Sequence, residues 1–594
     1  MELNKTRMKM PSRVLNHPLV RKYSSLVHKD LTATYSRALH KWLLIAPIMG
    51  VLTGLLIALL AETILKRMWP PILHFYLRHP IVIVPSLAGG FIIAGLIMQF
   101  TTPDPDQHST EEIIQSYHEH QGDINMRPFV PKLLAAVATV GFGGSAALEG
   151  PSIYGGGAIG SFLWAKLRRL GLEPRDRRIM LISGAAAGMS AVFRAPLTGV
   201  IFALEMPYKD DLAHEALLPS LIASVTSFAT MAVFLSAQPL FNFVTGTSYS
   251  GKDLLWSALL GVIIGLVAMT FDITFRRFRT FFVSLAFPHW IKMAIGGALT
   301  GACGLLFISI FHGPLIPLGP NYEAVPQILQ QSHSSFELVA FGILKLGATL
   351  FSLGVGGVSA MFVPLFLVGS SFGTAFAQSI AHSPALDLFA AVGMAAFIAG
   401  GYKTPLTAVV FVAEATGGHS YIIPALIGAA VAYAVSGEAS VSGDQRLHEG
   451  VKIAELSKIS VKEVMRKRFI SVDAATNVRE FAERITAHHS HSAYPVQLNE
   501  LPLGIINVSS LAKVPAEKWE RMTVGELADR GVPHVPPECD LEEALRLLLA
   551  ERGNHMLLVV STPEKLDGIL TKSDVLSAMQ TRGSGDGPKP GHLT

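Results

Sequence analysis

Cysteine is almost missing from this chain: there are two in 594 residues, Cys303 in an apolar run and Cys539 in a polar one. That scarcity excludes a disulfide framework and a cysteine-based zinc site. Charge is scarce as well, with 15% of residues charged against 50% hydrophobic, and the formal net charge is +4. So small and dispersed a cationic surplus argues against a nucleic-acid partner. No cleavable signal peptide is expected, because Met1–Lys41 is polar and basic with no early apolar stretch.

The shortage of charge is uneven. Residues 451–594 carry 37 charged side chains, about 26% of that segment, which is ordinary for a soluble domain. The other 55 are spread over 450 residues, about 12%, roughly half that norm. The mean hydropathy of +0.42 therefore averages two different polymers, a membrane body and a water-soluble tail. We divide the chain into a basic cytoplasmic segment (1–41), a membrane body (42–450), two small modules (451–515 and 516–582) and a Gly/Pro-rich disordered end (583–594).

Long apolar runs are what the body does have. Leu43–Leu65 and Ile81–Gln99 each approach the ~20 residues that cross a bilayer. Others cover 133–166, 179–206, 215–235, 254–273, 289–311, 337–353, 358–380, 386–401, 404–416 and 421–436. Nine Lys/Arg precede the first run against only Glu2 and Asp30, which predicts a cytoplasmic N-terminus. Six Lys/Arg in Lys166–Arg178, and Arg276, Arg277 and Arg279, mark the same face again. If 101–132 and 166–178 both face the cytoplasm, residues 133–165 cross an even number of times. They are too few for two full spans, so the reading is two half-helices meeting inside the membrane near Gly143–Pro151.

That junction is duplicated. GGSAALEGP (143–151) matches GGVSAMFVP (356–364) at an offset of 213, and APLTGVIFALE (195–205) matches TPLTAVVFVAE (404–414) at 209. Two matches in one order indicate an internal repeat, with halves of about 42–250 and 251–450. Repeated halves with Gly/Pro-broken apolar segments point to a transport site at their interface. Helix starts buried there offer unpaired N–H groups and a positive dipole end, which suits an anion. Gly150 lets the backbone approach the ion, and Pro151 and Pro364 fit a first helical turn. Glu149, an intramembrane carboxylate, can fill the anion position when ionised and leave when protonated, unless it merely caps its own helix.

These residues resemble the CLC family of chloride channels and proton/chloride antiporters. The similarity rests on Glu149-Gly150-Pro151, Gly356-Gly357…Met361-Phe362-Val363-Pro364 and the duplicated Pro-Leu-Thr helices, and covers about residues 40–580. It implies an α-helical polytopic membrane protein, an inverted repeat with broken, re-entrant helices, followed by a cytoplasmic α/β pair of CBS modules. It also implies a homodimer with a pore in each subunit, in the cell membrane with both termini cytoplasmic. Glu149 is then the gate, and Met361 and Phe362 present N–H groups to chloride or a similar anion. The chain departs from the family at three places. Asp106-Gln107-His108-Ser109-Thr110-Glu111 stands at the first anion-binding helix, so the pore serine falls on Gln107 or His108, with Ser109 one slip away. The pore tyrosine falls near Ser442, and the antiporters' internal glutamate falls on Met206, just after Glu205. Missing hydroxyls predict weak discrimination among anions, and Met206 predicts weak coupling to protons.

The tail repeats on a smaller scale. Val461–Ser510 and Val524–Asp574 follow one order of elements at offsets of 63 and 64, each with a strand read as starting at glycine (Gly504, Gly568). Gly568–Asp574 (GILTKSD) resembles the CBS adenosine site, with Thr571 and Asp574 toward phosphate and ribose, whereas Gly504–Ser510 lacks the carboxylate. One adenine-nucleotide site is expected, or else a purely dimerising tail. No phosphate loop with a following Lys-Ser/Thr is present, so the chain reads as a transporter needing no cofactor rather than as an enzyme. An anion-binding sensor that signals through the tail without transport is the competing reading.

Other signals are discounted. GGGAIG (155–160) follows no strand and reads as helix packing by small residues. His488, His489 and His491 read as a solvated helix end, and His108, His118 and His120 as exposed residues of an acidic cytoplasmic stretch. Glu205 and Glu414 recur in both repeats, equally suited to helix ends and to a proton path.

Overall fold

The computed structural model describes residues 18–594 except 106–108, 171, 236–237, 242, 244–248, 314, 331–332, 447–455, 457–458, 487–490, 551–555, 563–564 and 584–594. Gln107, His108, His488, His489 and the end of the tail beyond Gly583 lie outside the described residues. The chain divides into two compact units at 447/448.

The first unit is helical, and seven of its described helical stretches are long and apolar enough to cross a membrane. In order, the α-helices of this unit begin with α1 (Pro18–Ala61), α2 (Trp69–Arg78), α3 (Ile83–Thr101), α4 (Ser109–His118), α5 (Phe129–Gly141), α6 (Glu149–Leu167), α7 (Pro174–Phe193), α8 (Pro196–Glu205) and α9 (Leu217–Phe234). Then follow α10 (Gly251–Ser284), α11 (His289–Phe311), α12 (Ala324–Gln330), α13 (Ser335–Leu353), α14 (Phe362–Phe376), α15 (Leu386–Tyr402), α16 (Pro405–Thr416) and α17 (Ile422–Val435). Proline sets several starts: α7, α8 and α16 each begin on one, where its missing N–H goes unmissed. The first apolar run does not stop at Leu65. A π-helical turn at Glu62–Met68 carries it into α2, whose early prolines fit a new helix start.

The expected break is present, and it is present twice. Residues 142–148 separate α5 from α6, and residues 354–361 separate α13 from α14. Both links turn on a glycine of positive φ at the repeat offset, Gly143 (101°) and Gly356 (104°), a conformation only glycine adopts readily. The links lie antiparallel: Ala147 N–H donates to the Ala360 carbonyl at 3.4 Å, and the Ser359 hydroxyl donates to the Ala147 carbonyl. Small residues let the helices beyond them touch. A Cβ on Gly156 of α6 would collide with the Gly184 carbonyl of α7, and one on Gly369 of α14 with the Gly393 carbonyl of α15. The run 155–160 is therefore helix packing.

The second unit holds two three-stranded sheets, one per module. In the first, β1 (Val472–Asp473) runs parallel to β2 (Ala493–Leu498), which pairs antiparallel with β3 (Leu501–Asn507). In the second, β4 (His534–Val535), β5 (Met556–Thr562) and β6 (Lys565–Thr571) repeat that order. Neither glycine starts its strand, contrary to the expectation. Gly504 and Gly568 sit mid-strand opposite Val496 and Val559, where each ladder shifts register. A Cβ on Gly504 would strike the Asp529 carbonyl, and one on Gly568 would crowd Arg466, so glycine serves close backbone approach there.

Candidate functional site

The site forms where the two links meet. Met361 ends the second link and Phe362 opens α14, so their N–H groups have no partner within the helix. Glu149, first residue of α6, crosses to them. Its Oε1 accepts from Phe362 N–H at 2.7 Å and from Val363 N–H at 3.4 Å. The carboxylate thus caps the opposite repeat's helix. The residue is 1% exposed, and among the described residues Oε2 is buried with no donor. A buried carboxylate with one oxygen unsatisfied holds its N–H donors by charge, and protonation weakens that hold.

Met361 is occupied differently from expectation. Its N–H donates to the Tyr402 hydroxyl at 3.0 Å, and Tyr402, the last residue of α15, is buried beside Phe362. Lys345 of α13 is fully buried, donates to the Gly319 carbonyl at 2.8 Å and lies within electrostatic reach of Glu149. Sequence reasoning missed both residues. Gly150 serves the contact between links, since a Cβ there would collide with Ser359 backbone.

The remaining expected pore residues make no hydrogen bond to Glu149, Met361 or Phe362 among the described residues. Ser109 opens α4, is 1% exposed, and its hydroxyl has no partner among the described residues. Ser442 follows Val441, whose N–H donates to the Gly401 carbonyl at 2.9 Å, and its own N–H donates to Ser440 Oγ at 3.2 Å. Neither serine shares a hydrogen bond with Glu149 among the described residues. The acidic stretch around them is not solvated as expected. Glu111 pairs with Arg279 at 2.6 Å and Glu112 with the buried Lys132. His118 is half-buried, at 2.8 Å from the Pro207 carbonyl, while His120 is exposed. Glu111 and Glu112 are buried because each has a cation from another helix.

Glu205 and Glu414 cap each other's repeat. Glu205 accepts from Leu406 N–H (3.0 Å), Thr407 N–H (2.8 Å) and Thr407 Oγ1 (2.5 Å) at the start of α16. Glu414 accepts from Leu197 N–H (3.0 Å), Thr198 N–H (2.7 Å) and Thr198 Oγ1 (2.7 Å) at the start of α8. Met206 beside Glu205 is buried, and its carbonyl accepts from Gln445 at 3.1 Å.

In the second unit Thr571 and Asp574 are brought together at the start of the last described helix, Lys572–Gly583. The short helices here are α18 (Val461–Val464), α19 (Val478–Glu480) and α20 (Val524–Leu527), then α21 (Leu541–Ala550) and α22 (Lys572–Gly583). Asp574 Oδ2 accepts from Thr571 N–H (2.9 Å) and Oγ1 (2.6 Å), and Oδ1 accepts from Arg466 Nε at 2.6 Å. No cluster of three or more His, Cys, Asp or Glu able to hold a metal occurs among the described residues.

The family signature described as voltage gated chloride channel matches residues 89–437, and the CBS domain signature matches 461–517 and 524–581. A H(+)/Cl(-) exchange transporter ClcA of Yersinia pestis bv. Antiqua (strain Angola) is 32% identical over 304 residues, half of this chain and 62% of that protein. The chain thus spans under two thirds of the exchange transporters it first matches. An uncharacterized protein of Methanocaldococcus jannaschii is 26% identical over 66% of this chain and 92% of its own length. Among solved structures, a CLC-type fluoride/proton antiporter aligns with a TM-score of 0.61 at 22% identity, covering 69% of this chain and 98% of its own. A eukaryotic CLC transporter aligns at 0.58 and 16% identity, covering 90% and 98%. The fold is that of a polytopic, CLC-type integral membrane protein with a C-terminal CBS pair. This chain belongs to the voltage gated chloride channel (CLC) family.

Proposed function

We propose that the membrane body (42–450) carries chloride or a similar small anion across the cell membrane, through a pore in each subunit of a homodimer, with Glu149 as the gate and both termini cytoplasmic. The observation that carries this reading is the Glu149 carboxylate on the N–H groups of Phe362 and Val363. An ionised side chain there occupies a position that suits a dehydrated anion. Protonation removes its charge, weakens its hold on Phe362 and lets the anion in. Met361, Phe362 and Gly150 form the central site, with Ser109, or Gln107 or His108 before it, and Ser442 as the further pore positions. Transport is channel-like with weak proton coupling, because Met206 carries no proton and both Glu205 oxygens are committed to a cap. Proton/chloride exchange is the second reading, favoured by the exchange transporter at 32% identity. Reversal potentials in liposomes under crossed chloride and proton gradients separate the two. Absence of anion flux at every pH, with anion binding intact, overturns both and leaves a sensor.

A further inference from the structure

We propose that Tyr402 is an anion ligand, taking the Met361 N–H and offering its own O–H to the anion that replaces Glu149. The proposal rests on the anion-transport reading and names a residue that sets its specificity. Tyr402 ends α15, where Lys403 turns the chain with φ of 60° before Thr404 and Pro405 open α16. Its counterpart at the repeat offset of 209 is Phe193, which ends α7 before Arg194 at φ of 55°. Both rings pack on Phe362, with centroids at 5.1 Å for Phe193 and 5.7 Å for Tyr402. The two repeats thus present matching aromatic rings to the same helix start, and only one bears a hydroxyl.

That hydroxyl is placed for chemistry. It takes Met361 N–H at 3.0 Å, while the next N–H along, that of Phe362, holds Glu149 at 2.7 Å. Phenol and carboxylate therefore sit on consecutive N–H groups of one buried helix start. A phenol can accept and donate at once. Tyr402 spends its acceptor on Met361, and among the described residues nothing accepts its proton. A buried donor without an acceptor is costly unless a ligand arrives to take it. An anion replacing the Glu149 carboxylate would receive Phe362 N–H from one side and the Tyr402 O–H from the other. The ring stays wedged between Phe362 and Phe202, whose centroid is 6.0 Å away, so the donor cannot swing aside to follow a large ion. A fixed, single O–H donor favours a small monatomic anion such as chloride over a diffuse one such as thiocyanate. The weak discrimination expected from the altered Ser and Tyr positions is thereby reversed.

The test compares full-length Glu149→Ala, whose site is vacated, with the same protein also carrying Tyr402→Phe. Chloride binding is measured by calorimetry in detergent, and chloride/thiocyanate flux ratios in liposomes. Loss of chloride affinity by fivefold or more, with a fall in the chloride/thiocyanate ratio and an unchanged melting temperature, supports the proposal. Affinity and ratio within twofold overturn it. If Tyr402→Phe does not fold, 3,5-difluorotyrosine at 402 keeps the shape and strengthens the donor. Chloride binding should then tighten, and unchanged binding overturns the proposal. Chloride binding by neither protein, together with no wild-type flux, would instead overturn the transport reading and this inference with it.

Discussion

The two links, 142–148 and 354–361, share a backbone and differ in what they carry. Each turns on a glycine near φ of 100°, and each opens a helix that meets its neighbour glycine to glycine, Gly156 on Gly184 and Gly369 on Gly393. The first link delivers a carboxylate, Glu149, and the second delivers N–H groups at Met361 and Phe362 that have no partner in their own helix and bond side chains instead. A symmetric frame with an asymmetric filling makes one site instead of two. Duplication supplies the convergent helix starts, and a single charged side chain fills the place where they meet. The reciprocal caps of Glu205 and Glu414 belong to the frame, since both repeats keep them.

The largest effect should come from removing the asymmetry. Glu149→Ala leaves the Phe362 and Val363 N–H groups without their carboxylate, so flux should be constitutive and independent of pH. In the wild type, flux should rise as pH falls, because the protonated side chain releases its charge-assisted hold. Glu149→Gln, neutral at every pH, should resemble the acid form. Proton-dependent flux persisting in the alanine variant would show that the gate lies elsewhere.

Breaking the frame should cost stability equally on both sides. Gly184→Ala and Gly393→Ala each drive a Cβ into a backbone carbonyl of the facing helix. Overpacking of that kind costs about 1–3 kcal/mol, and backbone against backbone has little room to relax. Melting temperatures in detergent should fall for both. A tolerated Gly393→Ala beside a damaging Gly184→Ala would show the halves to be less alike than their backbones.

The caps sharpen the comparison at a smaller scale. Glu205→Ala and Glu414→Ala each strip three hydrogen bonds from a helix start, worth roughly 1–2 kcal/mol for a lost cap. The loss should be larger at Glu205, which is 5% exposed, than at the half-buried Glu414. If Glu205 is a cap and no proton carrier, Glu205→Gln should lower stability while leaving the pH profile of flux in place. A flattened profile would restore it to the proton path.

Much of this was legible beforehand. Glycine and proline marked both breaks, and the matched nonapeptides paired them, because a broken helix needs those residue types wherever it occurs. The joining of α1 to α2 was not legible, since Trp69-Pro70-Pro71 reads equally as a stop or a start. Nor was the burial of Glu111, whose partner Arg279 stands 168 residues away. Tyr402 lies outside the positions, Gln107–Ser109 and Ser442, at which the family resemblance places the pore hydroxyls. The signal was available, as the offset of 209 sets Tyr402 opposite Phe193 beside the same Pro-Leu-Thr run.

The tail repeats the lesson with its own pair. Both modules keep a glycine at the register shift, yet only the second carries Asp574 beside Thr571, whereas the first ends in Ser510. An adenine nucleotide should therefore bind the full chain at one equivalent, not two. Asp574→Ala should remove it, together with the contact to Arg466. Any effect on transport should stay within about 1–3 kcal/mol, the usual scale of coupling between sites. Calorimetry with ATP, ADP and AMP gives the stoichiometry, and two equivalents would make the modules functional twins. No binding would leave the tail as a dimerising element.

The smallest effect lies one residue before those glycines, where the modules differ again: Leu503 in the first, Asp567 in the second. Asp567 Oδ2 accepts from Ser561 N–H at 2.6 Å across the β5–β6 hairpin, and Lys565 stands 3.5 Å from the other oxygen. The Ser561 hydrogen bonds chiefly, and Lys565 after them, hold its carboxyl below the ordinary carboxylate range. A carboxyl depressed in the folded state stabilises it above the unfolded value of ~3.9, and that contribution disappears as pH falls through the folded value. Because the site is at the surface, the gain should stay under ~1 kcal/mol and shrink in salt. Hydrogen exchange on the full chain should show faster opening of the β5–β6 amides in Asp567→Asn at neutral pH. The β2–β3 amides should be unchanged, and the difference should vanish once wild-type Asp567 is protonated. A difference that persisted in acid would assign the effect to side-chain shape rather than to charge.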